Sequence, residues 1–161
     1  MRNEAYWSGD MPWISPKDMK VVRLTDGVDH ISQQAVVDGA RVAPPGAVLV
    51  VVRGMILAHS FPVAVADRSL AFNQDIKAVV PTDQVDSDFL LYWLISNAQR
   101  LRSLTTESTH GTRRLPMESL FAEVVLLPGM AEQRKVARAM RDMDALIESL
   151  EQLLAKKRHL K

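Results

Sequence analysis

The chain has 161 residues, 47% of them hydrophobic and 24% charged, which excludes a disordered chain and gives enough length for a real core. With 20 Lys+Arg against 19 Asp+Glu the formal charge is +1, so binding of a polyanion by bulk charge is excluded and only a local basic patch stays open. The absence of cysteine rules out disulfides, thiolate metal sites and a thiol nucleophile.

The N-terminus, Met1-Arg-Asn-Glu-Ala-Tyr-Trp, has no signal-peptide-like apolar stretch, and runs such as Ala47–Val52 are too short to span a bilayer. A cytoplasmic protein without membrane attachment is expected. The first segment, Trp7–Lys20, reads as a loop with two Trp, two Pro and two Lys. Trp7 and Trp13 are expected as core plugs, and Lys17 and Lys20 as phosphate contacts. Short strands follow at Val21–Leu24, Ala47–Arg53 after the Pro44-Pro45-Gly46 turn, Val63–Ala66, Leu70–Phe72 and Ile76–Val80.

A helix over Phe89–Leu104, capped by Ser87-Asp88, interrupts them. Its apolar face holds Leu90, Leu94, Ile95, Ala98 and Leu101. The segment Glu107–Arg114 reads as a loop between helical segments, with a short helix from Pro116. Glu123–Leu127 reads as another strand, closed by Pro128.

Beyond Gly129 the period changes. Val136, Met140, Met143, Ile147, Leu150 and Leu154 are spaced 4, 3, 4, 3, 4, a heptad seam. Ala139, Leu146, Leu153 and Leu160 repeat every 7 residues beside it. A helix over Ala131–Lys161 would be about 46 Å long. The expected fold is α+β: a mixed or antiparallel sheet with a buried helix over 1–129, then a dimerising coiled-coil helix over 130–161. Packing of that helix along its own domain is the competing arrangement.

No constellation for catalysis is present. G-x-x-x-x-G-K-[ST], G-x-G-x-x-G and G-x-S-x-G are all missing, and His30, His59, His110 and His159 lack ligand spacing. His59-Ser60 is a poor nucleophile–base pair, and Asp83, Asp86 and Asp88 suit a solvated turn and a helix cap. No enzyme activity, metal or cofactor is expected.

Residues that could read a partner are more numerous. Ser108, Thr109, His110, Thr112, Arg113 and Arg114 offer a dense set of donors around Gly111, though a solvated loop has the same composition. Gln74, in Asn73-Gln74-Asp75, can read an adenine edge or serve a turn, and Arg53 is a strand-end cation open to either role. The candidates for contact with base edges or phosphates are Lys17, Lys20, Arg53, Gln74, Thr112, Arg113 and Arg114. The candidate dimer contacts are the six seam residues.

Taken in succession, YWSGDMPWISPKDM (6–19), PPGAVLVVVRG (44–54), FNQDIKAVVP (72–81), FLLYWLISN (89–97), STHGTRRLPMESL (108–120) and VVLLPGMAEQRKVARAM (124–140) resemble a target-recognition domain of a Type I restriction–modification specificity subunit. The resemblance implies a domain that reads one half of a bipartite double-stranded DNA site, mostly in the major groove. It implies a spacer helix that docks methyltransferase subunits, with translocase or restriction subunits completing the assembly. Complete subunits carry two recognition domains and two spacers, so one of each resembles a half-subunit that would homodimerise through antiparallel helices. The helix length suits major-groove half-sites ~34–36 Å apart. Members usually carry a leading strand and a Gly-Thr-Pro-like segment ahead of the Tyr-Trp motif, whereas five residues precede Tyr6 here. A coiled-coil adaptor that does not touch DNA, or an inactive truncated remnant, are the competing functions.

Overall fold

The computed structural model describes residues 4–108 and 110–159. Its strands in chain order are β1 (Met11–Ile14), β2 (Arg23–Leu24), β3 (Asp29–Ile31), β4 (Val42–Ala43), β5 (Val48–Val51), β6 (Arg53–Gly54), β7 (Val63–Ala66), β8 (Leu70–Phe72), β9 (Ile76–Val79), β10 (Thr106–Glu107) and β11 (Arg113–Arg114). The helices are α1 (Gln33–Val37), α2 (Ser87–Ser96), α3 (Ala98–Ser103), α4 (Met117–Phe121) and α5 (Met130–His159). The class is α+β, as expected. No helix among the described residues is long and apolar enough to cross a membrane.

The run Ala47–Val51 is fully buried because β5 lies inside a four-stranded sheet, antiparallel to β7 on one side and β9 on the other. The order is β2-β7-β5-β9, with β2 parallel to β7. α2 covers β5 and β7, placing Leu91 and Leu94 in the main core with Leu49, Ala64 and Leu70. A strand covered on both faces needs no polar alternation, which is why this segment reads as a continuous apolar run.

A second four-stranded sheet has the order β3-β1-β8-β4, with β1 parallel to β8 and the outer strands antiparallel to their neighbours. Three of these strands were not legible in the sequence: β1 inside the presumed Trp/Pro loop, β3, and the two-residue β4. Trp7 is not a core plug, whereas Trp13 is a half-buried one. Their rings meet edge to face at 5.0 Å, Trp7 is exposed, and Trp13 packs on the small cluster of Ile31, Ala35 and Ala71.

Three further expectations need correction. The single helix over Phe89–Leu104 is broken at Asn97, which closes α2 and whose side-chain Nδ2 donates to the Trp93 carbonyl at 2.8 Å alongside its own amide at 3.1 Å. Its cap is Asp86, one residue earlier than expected, accepting from the amides of Asp88 and Phe89. Ile95, placed on the apolar face by sequence, is exposed.

Glu123–Leu127 forms no strand. It joins no ladder among the described residues; Glu123 is tied to Arg100 instead, and Leu126 is 84% exposed. The stretch is aliphatic enough to imitate a strand but is spent as the connection into α5.

The first half of α5 lies on α2 through a row that is mostly polar. Gln133 is buried: its Oε1 accepts from the Asp86 amide and its Nε2 donates to the carbonyls of Gln84 and Pro128, all at 2.9 Å. Ala137 is buried beside it. Further along, Arg141 pairs with Asp88 at 3.2 Å, and the same Asp88 accepts from Arg23 of β2 at 2.7 Å. The seam residues Val136, Met140, Met143, Ile147, Leu150 and Leu154 remain exposed. The first half of the helix thus does pack along its own domain, but through Gln133, Ala137, Arg141 and Asp144, while the apolar stripe stays exposed.

Candidate nucleic-acid interface

The parallel alignment of β1 and β8 sends the loops that follow them off the same end of the sheet. Trp13 lies opposite Ala71 and Ile14 opposite Phe72, and the Asn73 amide donates to the Ile14 carbonyl at 3.0 Å. The Ser15–Lys20 loop, with Lys17 and Lys20, therefore leaves beside the Asn73–Asp75 turn that carries Gln74. β4 runs antiparallel to β8, which brings Arg41 to the same rim, its carbonyl accepting from the Phe72 amide at 3.1 Å.

The Ser15–Lys20 loop is held by Asp18. One Asp18 oxygen accepts from the Ser15 amide and hydroxyl at 2.9 and 2.8 Å, and the other from the Val28 amide at 3.1 Å. Burial pushes this carboxyl up, but the three hydrogen bonds outweigh it and hold it below the ordinary carboxylate value. Lys17 donates to Asp29 at 2.7 Å, and that bond holds its ammonium above the ordinary lysine value. Lys20 is exposed and makes no ion pair among the described residues.

The Asn73–Asp75 turn leans on a third sheet, of order β10-β11-β6. The Asp75 carbonyl accepts from the amides of Val52 and Arg53 at 2.8 and 3.2 Å, and its carboxylate accepts from Arg53 Nε at 2.6 Å. Gln74, at the tip, is exposed. Across β6, Gly54 pairs with Arg113 and Arg53 with Arg114. The presumed loop 107–114 is thus a hairpin between β10 and β11, closed where the Ser108 amide meets the Thr112 carbonyl at 2.9 Å, with Gly111 at φ +74°. Thr109, one of its donors by sequence, lies outside the described residues.

Thr112 is half-buried. Arg113 is already engaged, donating to Glu107 directly opposite at 3.0 Å and to Thr105 at 3.4 Å. Arg114 is exposed and has no ion pair among the described residues. Arg53, neutralised by Asp75, and Arg114 thus start from directly opposed strand positions. A phosphate, or a guanine edge presenting two acceptors, would give the Arg114 guanidinium a partner that the described residues do not supply.

The geometry brings Lys17, Lys20, Gln74, Arg53, Arg113 and Arg114 onto connected loops and strands. It adds Arg41, which sequence reasoning missed because the adjoining two-residue strand gives no periodic signal. A cleft of about 320 Å³ runs between Arg41 and Gln74, walled by Tyr6, Trp13 and Phe72. No group of His, Asp and Glu among the described residues is arranged to hold a metal ion.

Three small sheets carry these cations at the head of a long helix. The chain belongs to the Type I restriction modification DNA specificity domain family, whose model matches residues 1–156. It is 26% identical over 147 residues to the EcoR124I/EcoR124II specificity subunit of Escherichia coli, covering 90% of this chain and 36% of that protein. It is 31% identical over 150 residues to the MjaIX specificity subunit of Methanocaldococcus jannaschii, covering 89% and 33%.

The chain thus spans about a third of the length of these relatives. Among solved structures, a chain from a study of complex assembly and conformational transition in the type I R-M system superimposes with a TM-score of 0.72 at 21% identity, over 94% of this chain and 35% of that one. The HsdS subunit from Thermoanaerobacter tengcongensis gives 0.59 at 19% identity, over 88% and 32%. These likenesses support the fold.

Proposed function

We propose that this chain is a non-catalytic, sequence-specific DNA-binding module of a Type I restriction–modification system, reading one half-site of double-stranded DNA. Residues 1–129 form the reading unit and 130–161 the spacer. The observation that carries the reading is Arg114, unneutralised and directly across the ladder from Arg53, with Gln74 beside them. Lys17 and Lys20 would hold the phosphate backbone, Arg53, Gln74, Thr112 and Arg114 would face bases or phosphates, and Arg113 would brace the hairpin. A net charge of +1 makes this local placement, rather than bulk attraction, the source of affinity.

The exposed row from Val136 to Leu154 supports pairing with a second copy through antiparallel helices, giving a homodimeric coiled coil with two reading units. Methyltransferase subunits would dock on this assembly and supply the chemistry, with the restriction and translocation subunits joining them in the cytoplasm. An adaptor that uses only the helix is the reading favoured by that same exposed row, and DNA separates the two.

The test is retention of the purified chain on a mixed-sequence duplex over a salt series. DNA reading predicts binding at low salt whose logarithm falls linearly with log salt. No retention in dilute buffer, by a folded dimer, would leave the adaptor.

A further inference from the structure

We infer that Met55, backed by Ile56, makes an apolar contact to the 5-methyl group of a thymine in the major groove, beside the group held by Arg114. This rests on the DNA-reading function proposed above and adds a specificity element to it. Met55 follows Arg53-Gly54 directly and is 68% exposed, with Ile56 half-exposed next to it. Lone exposed apolar side chains are ordinary, but this pair sits on a turn that the protein braces from several sides.

Leu57, the next residue, is fully buried. Arg102 of α3 reaches across to this turn, donating from Nε to the Leu57 carbonyl at 3.3 Å and from its guanidinium to the Ala58 carbonyl. The Ile56 carbonyl accepts from the amides of His59 and Ser60 at 3.0 and 2.9 Å. Gly54 enters the turn at φ +144°, a backbone angle that L side chains rarely adopt, while still paired with Arg113 in the ladder. The result is a fixed pedestal that presents a thioether side chain to solvent at the end of the strand carrying Arg53.

Such bracing does nothing to bury Met55 within the chain itself. On a duplex it would pay off, because thymine is the one base whose major-groove edge carries a methyl group, and apolar side chains are its natural contact. Methionine, unbranched and adaptable, fits a methyl beside a stacked base without demanding one rotamer.

The experiment begins with selection of bound sequences from a randomised duplex library by the full chain. Uracil is then placed for thymine, one position at a time, in the selected duplex. Binding is measured for the wild type, Met55→Ala and Met55→Leu, each checked for folding by circular dichroism. The expected result is one thymine whose replacement weakens wild-type and Met55→Leu binding about fourfold, the value of one buried methyl, and leaves Met55→Ala unaffected. Equal uracil penalties in wild type and Met55→Ala, or no sensitive thymine, would overturn the inference alone. A wild-type chain that selects no sequence would overturn the DNA reading with it.

Discussion

Tyr92 donates its hydroxyl to Asp144 at 2.8 Å, tying the middle of α2 to the middle of α5. Burial first, then the Asp144 bond and the charges of Asp144 and Asp88, push the Tyr92 phenol far above its ordinary value. A folded-state value raised in this way gives stability that is complete below the unfolded tyrosine range and is lost as pH climbs through the folded value. Ultraviolet titration should therefore show one tyrosine ionising late, at strongly alkaline pH, together with loss of α5 docking. Tyr92→Phe should abolish the late phase and cost about 1 kcal/mol in chemical denaturation, since the carboxylate partner stays solvated. A phenol that titrates at the normal tyrosine pH would contradict the contact.

Asp18 carries the opposite sign. Its carboxyl is held below its ordinary value, so its contribution is present above the unfolded carboxylate range and disappears as pH falls through the folded value. Asp18→Asn should remove that acid-side dependence, destabilise the chain by about 1–2 kcal/mol and loosen the Ser15–Lys20 loop. Denaturant midpoints at pH 7 and pH 3 measure the difference, which should shrink in the variant.

For Arg114 the expected effects on stability and binding diverge. Arg114→Ala removes an exposed side chain that has no ion pair among the described residues and lies opposite an Arg53 already neutralised by Asp75, so stability should change by no more than a few tenths of a kcal/mol. DNA affinity should fall by ~1–3 kcal/mol, with a salt slope shallower by about 1 if the contact is to a phosphate. Melting curves and fluorescence anisotropy on the same preparation test both halves. Unchanged affinity for Arg114→Ala and Arg53→Ala together would remove this sheet from the interface.

Pairing through α5 is tested by Met143→Asp with Ile147→Asp. Both side chains are exposed on the seam, and neither belongs to the hydrogen bonds and ion pairs that dock α5 on α2. Light scattering should report a monomer in place of a dimer, while circular dichroism and the melting of the head remain nearly unchanged. A mass unaltered by the double change would move the interface elsewhere.

Periodicity revealed what repeats. The spacing from Val136 to Leu154 announced α5, and the β-branched run Ala47–Val52 announced the central strand, because both patterns persist for several turns or residues. Elements of two or three residues, such as β4 and β11, carry no period, so the hairpin that aligns Arg114 with Arg53 could not be read. Nor could the break at Asn97 be read, since the apolar spacing runs on past it to Leu101. Most candidate site residues were visible as types, but their neutralisation was not: Asp29, Asp75 and Glu107 come to Lys17, Arg53 and Arg113 through folding. Arg41 was overlooked for the same reason, its position at the rim being fixed by a neighbouring strand.

Between Met130 and His159 there is neither glycine nor proline, and Gln133 fastens the first turns of α5 through three hydrogen bonds. Such a lever arm has no joint at which to swivel. Deleting a single residue between Asp144 and Leu150 would rotate everything beyond it by about 100° relative to the head. The compass bearing of its outer turns is therefore geared to the side chains that grip its root.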